Sequence, residues 1–383
     1  MNHKRSRPRH VVLRLLVALL VGGFSPRAQA FETPAQAAIL LDLQSGQVLY
    51  AKNPDLPLPP ASMSKLMTVL MVLERLADGS LSLDDTFPVS EKAWRKGGSK
   101  MFVEVGSRVR IEDLLHGIIV QSGNDACIVV AEALGGSEEA FSEQMTRRGR
   151  ELGLTNSTFK NASGWPDPEH LMSVRDLARI AAIIIEDYPE YYGIFGEKEY
   201  TFSGIRQYTR NPLLYRDIGA DGLKTGHTEE AGYGLTASAV RDGRRLVIVL
   251  AGLQRAADRA RESERLLEHG YREFRNYQLF AQGDRVEDAD VWLGSTRTVP
   301  LVVQDDVWVS LTADGRRDLE VKVMYDGPIP APVADGSHLA ELQITAPGVE
   351  ARRVPLLAGE SVQAASMFGR VTSAIGYLIW GPS

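Results

Sequence analysis

The 383-residue chain holds a single cysteine, Cys127. An internal disulfide and any metal site built on cysteines are therefore excluded. Histidine does not fill the gap: beyond residue 30 only His116, His170, His227, His269 and His338 occur, none at metal-ligand spacing. Positive charge is also scarce. Once the first 30 residues are set aside, 37 Lys and Arg face 49 Asp and Glu, a net charge of about −12. That balance excludes nucleic acid as a partner. Repeats of useful period are absent. No apolar run approaches the ~20 residues of a transmembrane helix: Val11–Phe24 is short and interrupted by Arg14, and Ser366–Trp380 is shorter than a span.

What is present begins with a leader. Residues 1–30 combine Lys4, Arg5, Arg7, Arg9, Arg14 and Arg27 with no acid, then an apolar run, then Ala28-Gln29-Ala30. This order predicts an export signal cleaved after Ala30. Export permits disulfides, yet one cysteine forms none, so stability must come from core packing. With 44% hydrophobic residues the chain can build such a core.

The stretch Pro60-Ala61-Ser62-Met63-Ser64-Lys65 organises the rest. Leu66 to Leu76 is apolar on nearly every face, the pattern of a helix buried in a core. Pro59 and Pro60 place its first turn near Ser62, so Ser62 and Lys65 lie one turn apart. Such a serine is ordinarily an N-cap and such a lysine ordinarily solvated. Ser-x-x-Lys also recurs at Ser157-Thr158-Phe159-Lys160. The difference at Ser62 is the setting, because burial beside an apolar helix lowers a lysine pKa.

Hairpins are expected at Ala37–Leu43/Gln47–Ala51 and at Gly232–Val240/Arg244–Gly252, the second across Arg241-Asp242-Gly243. Leu223–His227 reads as a further strand. Helices are expected at Ile111–Val120, Ala126–Leu134, Phe141–Leu152, Val174–Ile185 and Ala257–Asn276. Leu154–Met172 is a long loop fit to border a site. Cys127, on the apolar helix after Asn124, reads as packing rather than nucleophile. After residue 276 the texture becomes short, β-rich and turn-broken. The fold class is α+β, with an antiparallel sheet flanked by helices over 31–276, a small all-β domain over 277–365, and an amphipathic segment over 366–383. That last segment suits a membrane surface.

Three segments carry chemistry: Ser62-Met63-Ser64-Lys65, Ser122-Gly123-Asn124 and Lys224-Thr225-Gly226. Together they fit acyl transfer. Ser62 Oγ attacks an amide carbonyl as a neutral Lys65 removes its proton. The backbone N–H groups of Ser62 and His227 are placed to hold the oxyanion, and Ser122 to relay a proton to the departing amine. Asn124 suits the substrate's peptide group, and Lys224 with Thr225 a free terminal carboxylate. A receptor for a chain end points to a carboxypeptidase rather than an endopeptidase.

With Asp in place of Gly123, the trio is the shared signature of penicillin-binding proteins and class A β-lactamases. Ala61–Thr68, Gln121–Cys127 and Asp221–Ala239 resemble the serine D-alanyl-D-alanine carboxypeptidases among the low-molecular-mass penicillin-binding proteins, and the similarity runs over most of the chain. The resemblance implies an acyl-ester serine at Ser62, a general base at Lys65, the second serine and asparagine at Ser122 and Asn124, and a carboxylate-binding lysine at Lys224. It carries over Arg259, Arg210 and Ser99 as substrate-binding residues, although Arg259 lacks the glycine that the family places before it. It further implies peptidoglycan stem peptides and β-lactam antibiotics as ligands, no cofactor or metal, and a location on the periplasmic face of the cytoplasmic membrane, held by the C-terminal helix. Two other readings are a β-lactamase and a non-catalytic cell-wall-binding scaffold. For the β-lactamase, Glu169 and Asp167 are the acids available to activate water, and neither sits in a Glu-x-x-x-Asn pattern.

Overall fold

The computed structural model describes residues 31–347 and 349–366. The expected export signal, and the expected tail helix beyond Ser366, lie outside them. The chain divides into two compact units with the break between Arg272 and Glu273, a few residues ahead of the expected boundary.

In the larger unit, β1 (Ala37–Asp42) and β2 (Gln47–Lys52) form a hairpin that turns at Gly46, φ +67°. The chain then makes one 3-10 turn over Ala61–Ser64 and runs straight into α1 (Lys65–Ala77). An α-helical first turn was expected at Ser62; the tighter winding brings side chains three residues apart into line. Ser62 and Lys65 are such a pair. Ten of the thirteen residues of α1 are buried, which explains why its sequence shows no polar face.

The following segment pairs β3 (Thr86–Pro88) with β4 (Arg108–Arg110) around the short α2 (Glu91–Arg95). Then come α3 (Ile111–Ile119), α4 (Asn124–Gly135), α5 (Glu138–Glu151) and α6 (Val174–Asp187). Their ends follow local chemistry: the Ser137 and Ser173 side chains cap α5 and α6, and Gly136 closes α4 at φ +80°. A small hairpin, β5 (Glu199–Phe202) with β6 (Ile205–Tyr208), precedes β7 (Ala220–Thr228), β8 (Gly232–Arg241) and β9 (Arg244–Leu253), and α7 (Ala256–Glu273) completes the unit. Asp242 and Gly243 both take positive φ, as a two-residue hairpin turn requires.

The five strands order as β2-β1-β9-β8-β7, antiparallel throughout, with β7 at an edge. On β1 and β9, Ile39, Val247 and Val249 join the helical core that contains α1 and α6. Leu40 and Leu246 point the other way, onto Gly270 of α7. Both faces are covered, so β9 reads as an unbroken apolar run rather than an alternating one.

The second unit begins with β10 (Arg275–Phe280), where the sequence suggested continued helix. It continues with β11 (Arg285–Trp292), β12 (Thr298–Val303), β13 (Val307–Leu311), a short α8 (Ala313–Arg317), β14 (Glu320–Met324), β15 (Ile329–Pro330), β16 (His338–Thr345) and β17 (Arg352–Ala358). Six strands order as β14-β16-β17-β12-β11-β15, and β10 pairs with β13. Among the described residues only the two-residue β15 runs parallel to its neighbour. Val299, Leu301 and Val303 on β12 and Ala340, Leu342 and Ile344 on β16 supply the core at a period of two.

Gly164 shows how tightly the loop before α6 sits on the 3-10 turn. It has φ +73°, and a Cβ there would lie 1.8 Å from the Ala61 carbonyl oxygen. Gly164→Ala should therefore destabilise the larger unit by about 1–3 kcal/mol through strain and overpacking. Chemical denaturation measures this; an unchanged midpoint would show that the loop does not press on the turn.

Candidate active site

Three structural facts bring distant residues to one place. The 3-10 turn presents Ser62 at the head of α1. The Ser122 backbone, at φ +60°, turns the chain sharply between α3 and α4. Gly226 lets the edge strand β7 approach that turn, since a Cβ there would stand 2.7 Å from the Pro60 carbonyl oxygen. Ala61 also has positive φ, at +47°. Left-handed non-glycine residues cost free energy and gather at functional sites.

Lys65 is the centre of the cluster and is fully buried. Its Nζ lies 2.9 Å from Ser62 Oγ, 2.7 Å from Asn124 Oδ1 and 2.6 Å from the Ser163 carbonyl oxygen. The Asn124 amide is oriented by its other end, where Nδ2 donates to the Gly97 carbonyl at 2.9 Å. Asn124 Oδ1 and the Ser163 carbonyl can only accept. They fit the two N–H bonds of a neutral amine and leave its lone pair for the Ser62 hydroxyl. Burial favours the same neutral form, holding the Lys65 pKa down to about 8, with the Arg210 and Lys96 charges adding to the effect. Cys127 is buried, and burial raises its thiol pKa to about 11, so it stays a packing group.

Ser122 Oγ accepts a hydrogen bond from Lys224 Nζ at 3.0 Å, which places β7 beside the second motif. Lys224 is buried as well. Desolvation, followed by the positive charge of Lys65, sets its pKa well below the ordinary lysine range. Thr225 is buried next to it, its carbonyl accepting from Lys224 Nζ at 3.2 Å. His227 is exposed and stacks on Tyr233 of β8, ring centroids 3.8 Å apart.

The three further carried-over residues form one chain of contacts. Arg210 Nη1 donates to Ser99 Oγ at 2.7 Å, the Ser99 carbonyl accepts the Asn124 N–H at 2.7 Å, and Arg259 Nη2 donates to the Arg210 carbonyl at 3.3 Å. The Arg259 guanidinium also lies over Tyr233, 5.5 Å from the ring centroid. Its Nε is buried without a hydrogen-bond partner. Ser99, Arg210 and Arg259 thus join the cluster at its cationic side.

Several participants carried no sequence signal. Asp125, buried at the start of α4, accepts the N–H groups of Met101, Phe102 and Val103 at 2.9, 2.9 and 3.2 Å. It ties the Ser99 segment to the Ser122 turn. The Ser163 carbonyl is invisible to side-chain motifs; only the loop character of Leu154–Met172 pointed to its neighbourhood. Asn161, in that loop, accepts the N–H groups of Ser163 at 3.1 Å and Trp165 at 2.9 Å and so holds the backbone on both sides of this carbonyl. The second Ser-x-x-Lys is structural. Ser157 Oγ donates to Asp176 at 2.7 Å, while Lys160 and Glu169 form an exposed ion pair at 3.1 Å. Asp167 accepts the Glu169 N–H. Among the described residues neither acid makes a hydrogen bond or ion pair with Ser62 or Lys65.

Fold and site together define the class of active-site serine penicillin-binding proteins. A family model described as D-alanyl-D-alanine carboxypeptidase matches residues 24–254, and one described as penicillin-binding protein 5, C-terminal domain, matches residues 274–364. The chain belongs to the D-alanyl-D-alanine carboxypeptidase family. It is 36% identical over 363 residues to D-alanyl-D-alanine carboxypeptidase DacC of Escherichia coli, covering 91% of each chain. Penicillin-binding protein 5 from Haemophilus influenzae is a solved structure similar to it, with TM-score 0.81 and 34% identity, covering 88% of this chain and 99% of that one. Penicillin-binding protein D2 from Listeria monocytogenes, solved in the ampicillin-bound form, matches at TM-score 0.58 and 29% identity over 64% of this chain and all of its own.

The lowered Lys65 pKa has a sign that rates can test. Below about 8 the amine holds a proton and cannot take another. The second-order rate of Ser62 acylation by a penicillin should rise about tenfold per pH unit up to an inflection near that value. A flat profile between roughly pH 6 and 9 would show that this amine is not the titrating base.

Proposed function

We infer that this protein is a serine D-Ala-D-Ala carboxypeptidase, which removes the terminal D-alanine of peptidoglycan stem peptides through an acyl-enzyme on Ser62. The observation that carries the reading is the buried Lys65 amine, 2.9 Å from Ser62 Oγ, with two pure acceptors on its other sides. Lys65 takes the Ser62 proton as Oγ bonds to the penultimate residue's carbonyl carbon. The backbone N–H groups of Ser62 and His227 hold the resulting oxyanion. As the C–N bond breaks, Ser122 passes its proton to the nitrogen of the departing D-alanine and regains one from Lys65, which is left neutral again. Water then attacks the ester, with Lys65 again taking a proton, and frees Ser62.

Asn124 engages a peptide group on the acyl side. Lys224 and Thr225, with Arg210, Arg259 and Ser99 beside them, receive the terminal carboxylate. No acid pairs with Lys224 or with the Arg259 guanidinium among the described residues, a cationic end that suits an anion. A penicillin presents the same pairing of carbonyl and carboxylate and should acylate the same serine. Cofactor and metal have no step to perform in this scheme.

The protein works, on this reading, outside the cytoplasmic membrane after removal of residues 1–30, and residues 366–383 lay an amphipathic helix on that membrane's surface. The sequence of the tail supports this: Phe368, Val371, Ile375, Leu378 and Ile379 recur at helical spacing. Arg370 is its lone cation, so attachment is mainly apolar. Among the described residues no helix is long and apolar enough to cross a membrane.

Ser62→Ala should abolish labelling by a fluorescent penicillin and D-alanine release from a pentapeptide ending in D-Ala-D-Ala, with the thermal unfolding profile retained. Persistent labelling would move the nucleophile elsewhere, and rapid multiple turnover of penicillin by the unaltered protein would favour a β-lactamase. A chain ending at Ala365 should keep activity and leave the membrane fraction of cells. Continued sedimentation with membranes would place the anchor outside the tail.

A further inference from the structure

One aromatic side chain beside the reacting groups has no part in the mechanism above. Residues 161–164 are buried, yet Trp165 leaves 43% of its surface in solvent. It is nonetheless rigidly held. Asn161 Oδ1 accepts the Trp165 N–H and Asn161 Nδ2 donates to the Trp165 carbonyl, both at 2.9 Å. The indole rests on a glycine pair, so that a Cβ built on Gly98 would stand 3.0 Å from its Cζ3 and one on Gly97 3.5 Å from its Cη2. The Lys96 ammonium lies 5.0 Å from its ring centroid. An exposed tryptophan whose main chain is clamped and whose ring is backed by glycines has the form of a binding anchor, because it offers large contact area with little entropy left to lose.

Its position relative to the scissile bond follows from two short links. The Ser163 carbonyl, two residues before Trp165, accepts from Lys65, and the Gly97 carbonyl accepts from Asn124. The indole therefore spans the two segments that flank Lys65 and Asn124. A peptide chain engaged by Asn124 on its acyl side runs past these glycines and reaches the indole within a few residues, given ~3.3 Å of extended chain per residue. Lys96 supplies charge there. Its nearest acid is Glu138 at 4.0 Å, and that carboxylate already receives Lys92 at 3.2 Å.

We propose that Trp165 and Lys96 form a specificity subsite for the acyl half of the substrate: the indole packs against the methylene chain of the residue preceding the D-Ala-D-Ala pair, and Lys96 receives a carboxylate at the end of that chain. This rests on the carboxypeptidase reading. It makes the enzyme a discriminator of stem composition as well as of the chain end. An uncharged chain of equal length gains only the apolar half of the contact.

The test uses three N-acetylated substrates: acetyl-D-Ala-D-Ala, the same with L-norleucine inserted before the pair, and the same with L-2-aminoadipate inserted. The readout is D-alanine release as kcat/KM. Trp165→Ala should lower the ratio of each longer substrate to the shortest by about tenfold, and Trp165→Phe should retain most of it. Lys96→Met should lower the aminoadipate-to-norleucine ratio by about fivefold and leave the norleucine-to-short ratio in place. Ratios in Trp165→Ala equal to those of the unaltered protein would overturn the subsite, and an unchanged aminoadipate-to-norleucine ratio in Lys96→Met would overturn its carboxylate half. Release of D-alanine from none of the three by the unaltered protein would instead refute the carboxypeptidase reading, a result distinct from unchanged ratios.

Discussion

The site depends on one amine kept out of water. A lysine side chain is among the costliest groups to bury charged, and an unpaired ammonium in a core gives up its proton before it pays the full desolvation cost. Lys65 is surrounded by a hydroxyl, an amide oxygen and a peptide carbonyl, with no carboxylate in hydrogen-bond contact. Burial without a counter-charge, rather than the hydrogen-bond set, is what lowers the cost of the neutral amine relative to the cation. A weak base is thereby aimed at a serine hydroxyl by the fold itself, and the apolar packing of α1 is what makes it possible.

The supporting structure serves to hold those acceptors in place. Asn124 is oriented by Gly97, Ser163 by Asn161, and the Ser99 segment by the three N–H groups that Asp125 gathers. Two cationic groups stand nearby for different purposes. After burial, the Lys65 charge is what depresses the Lys224 pKa most, whereas Lys65 is lowered by burial and by the Arg210 and Lys96 charges. Of the two, Lys65 is the amine within reach of the Ser62 hydroxyl, whereas Lys224 contacts Ser122.

Much of this was legible in the sequence because the relevant rules are local. Asp242-Gly243 announced the β8–β9 hairpin, Gly136 the end of α4, and the all-round apolar run after Lys65 a buried helix. The three motifs were legible as a set, whereas a single Ser-x-x-Lys was not: Ser62–Lys65 and Ser157–Lys160 share a pattern and differ only in what tertiary packing brings to them. Long-range effects stayed hidden. The 3-10 turn at Ser62 is packed against Gly164 of a distant loop and Gly226 of strand β7, the role of Ser163 belongs to a main-chain carbonyl, and Asp125 acts on residues more than twenty positions away. The helix expected to continue past Glu273 gives way to a strand because β13 offers β10 a pairing partner that no local propensity encodes.

The activation of Ser62 rests on the lowered Lys65 pKa, which nuclear magnetic resonance reads without any reaction. In protein carrying 13Cε-labelled lysine, the Lys65 signal, assigned by its loss in Lys65→Arg, should titrate near pH 8, set apart from the surface lysines near their usual ~10.4. A Lys65 signal that titrates together with the surface lysines would mean that almost none of the buried group is neutral at working pH, and the proposed activation of Ser62 would fall.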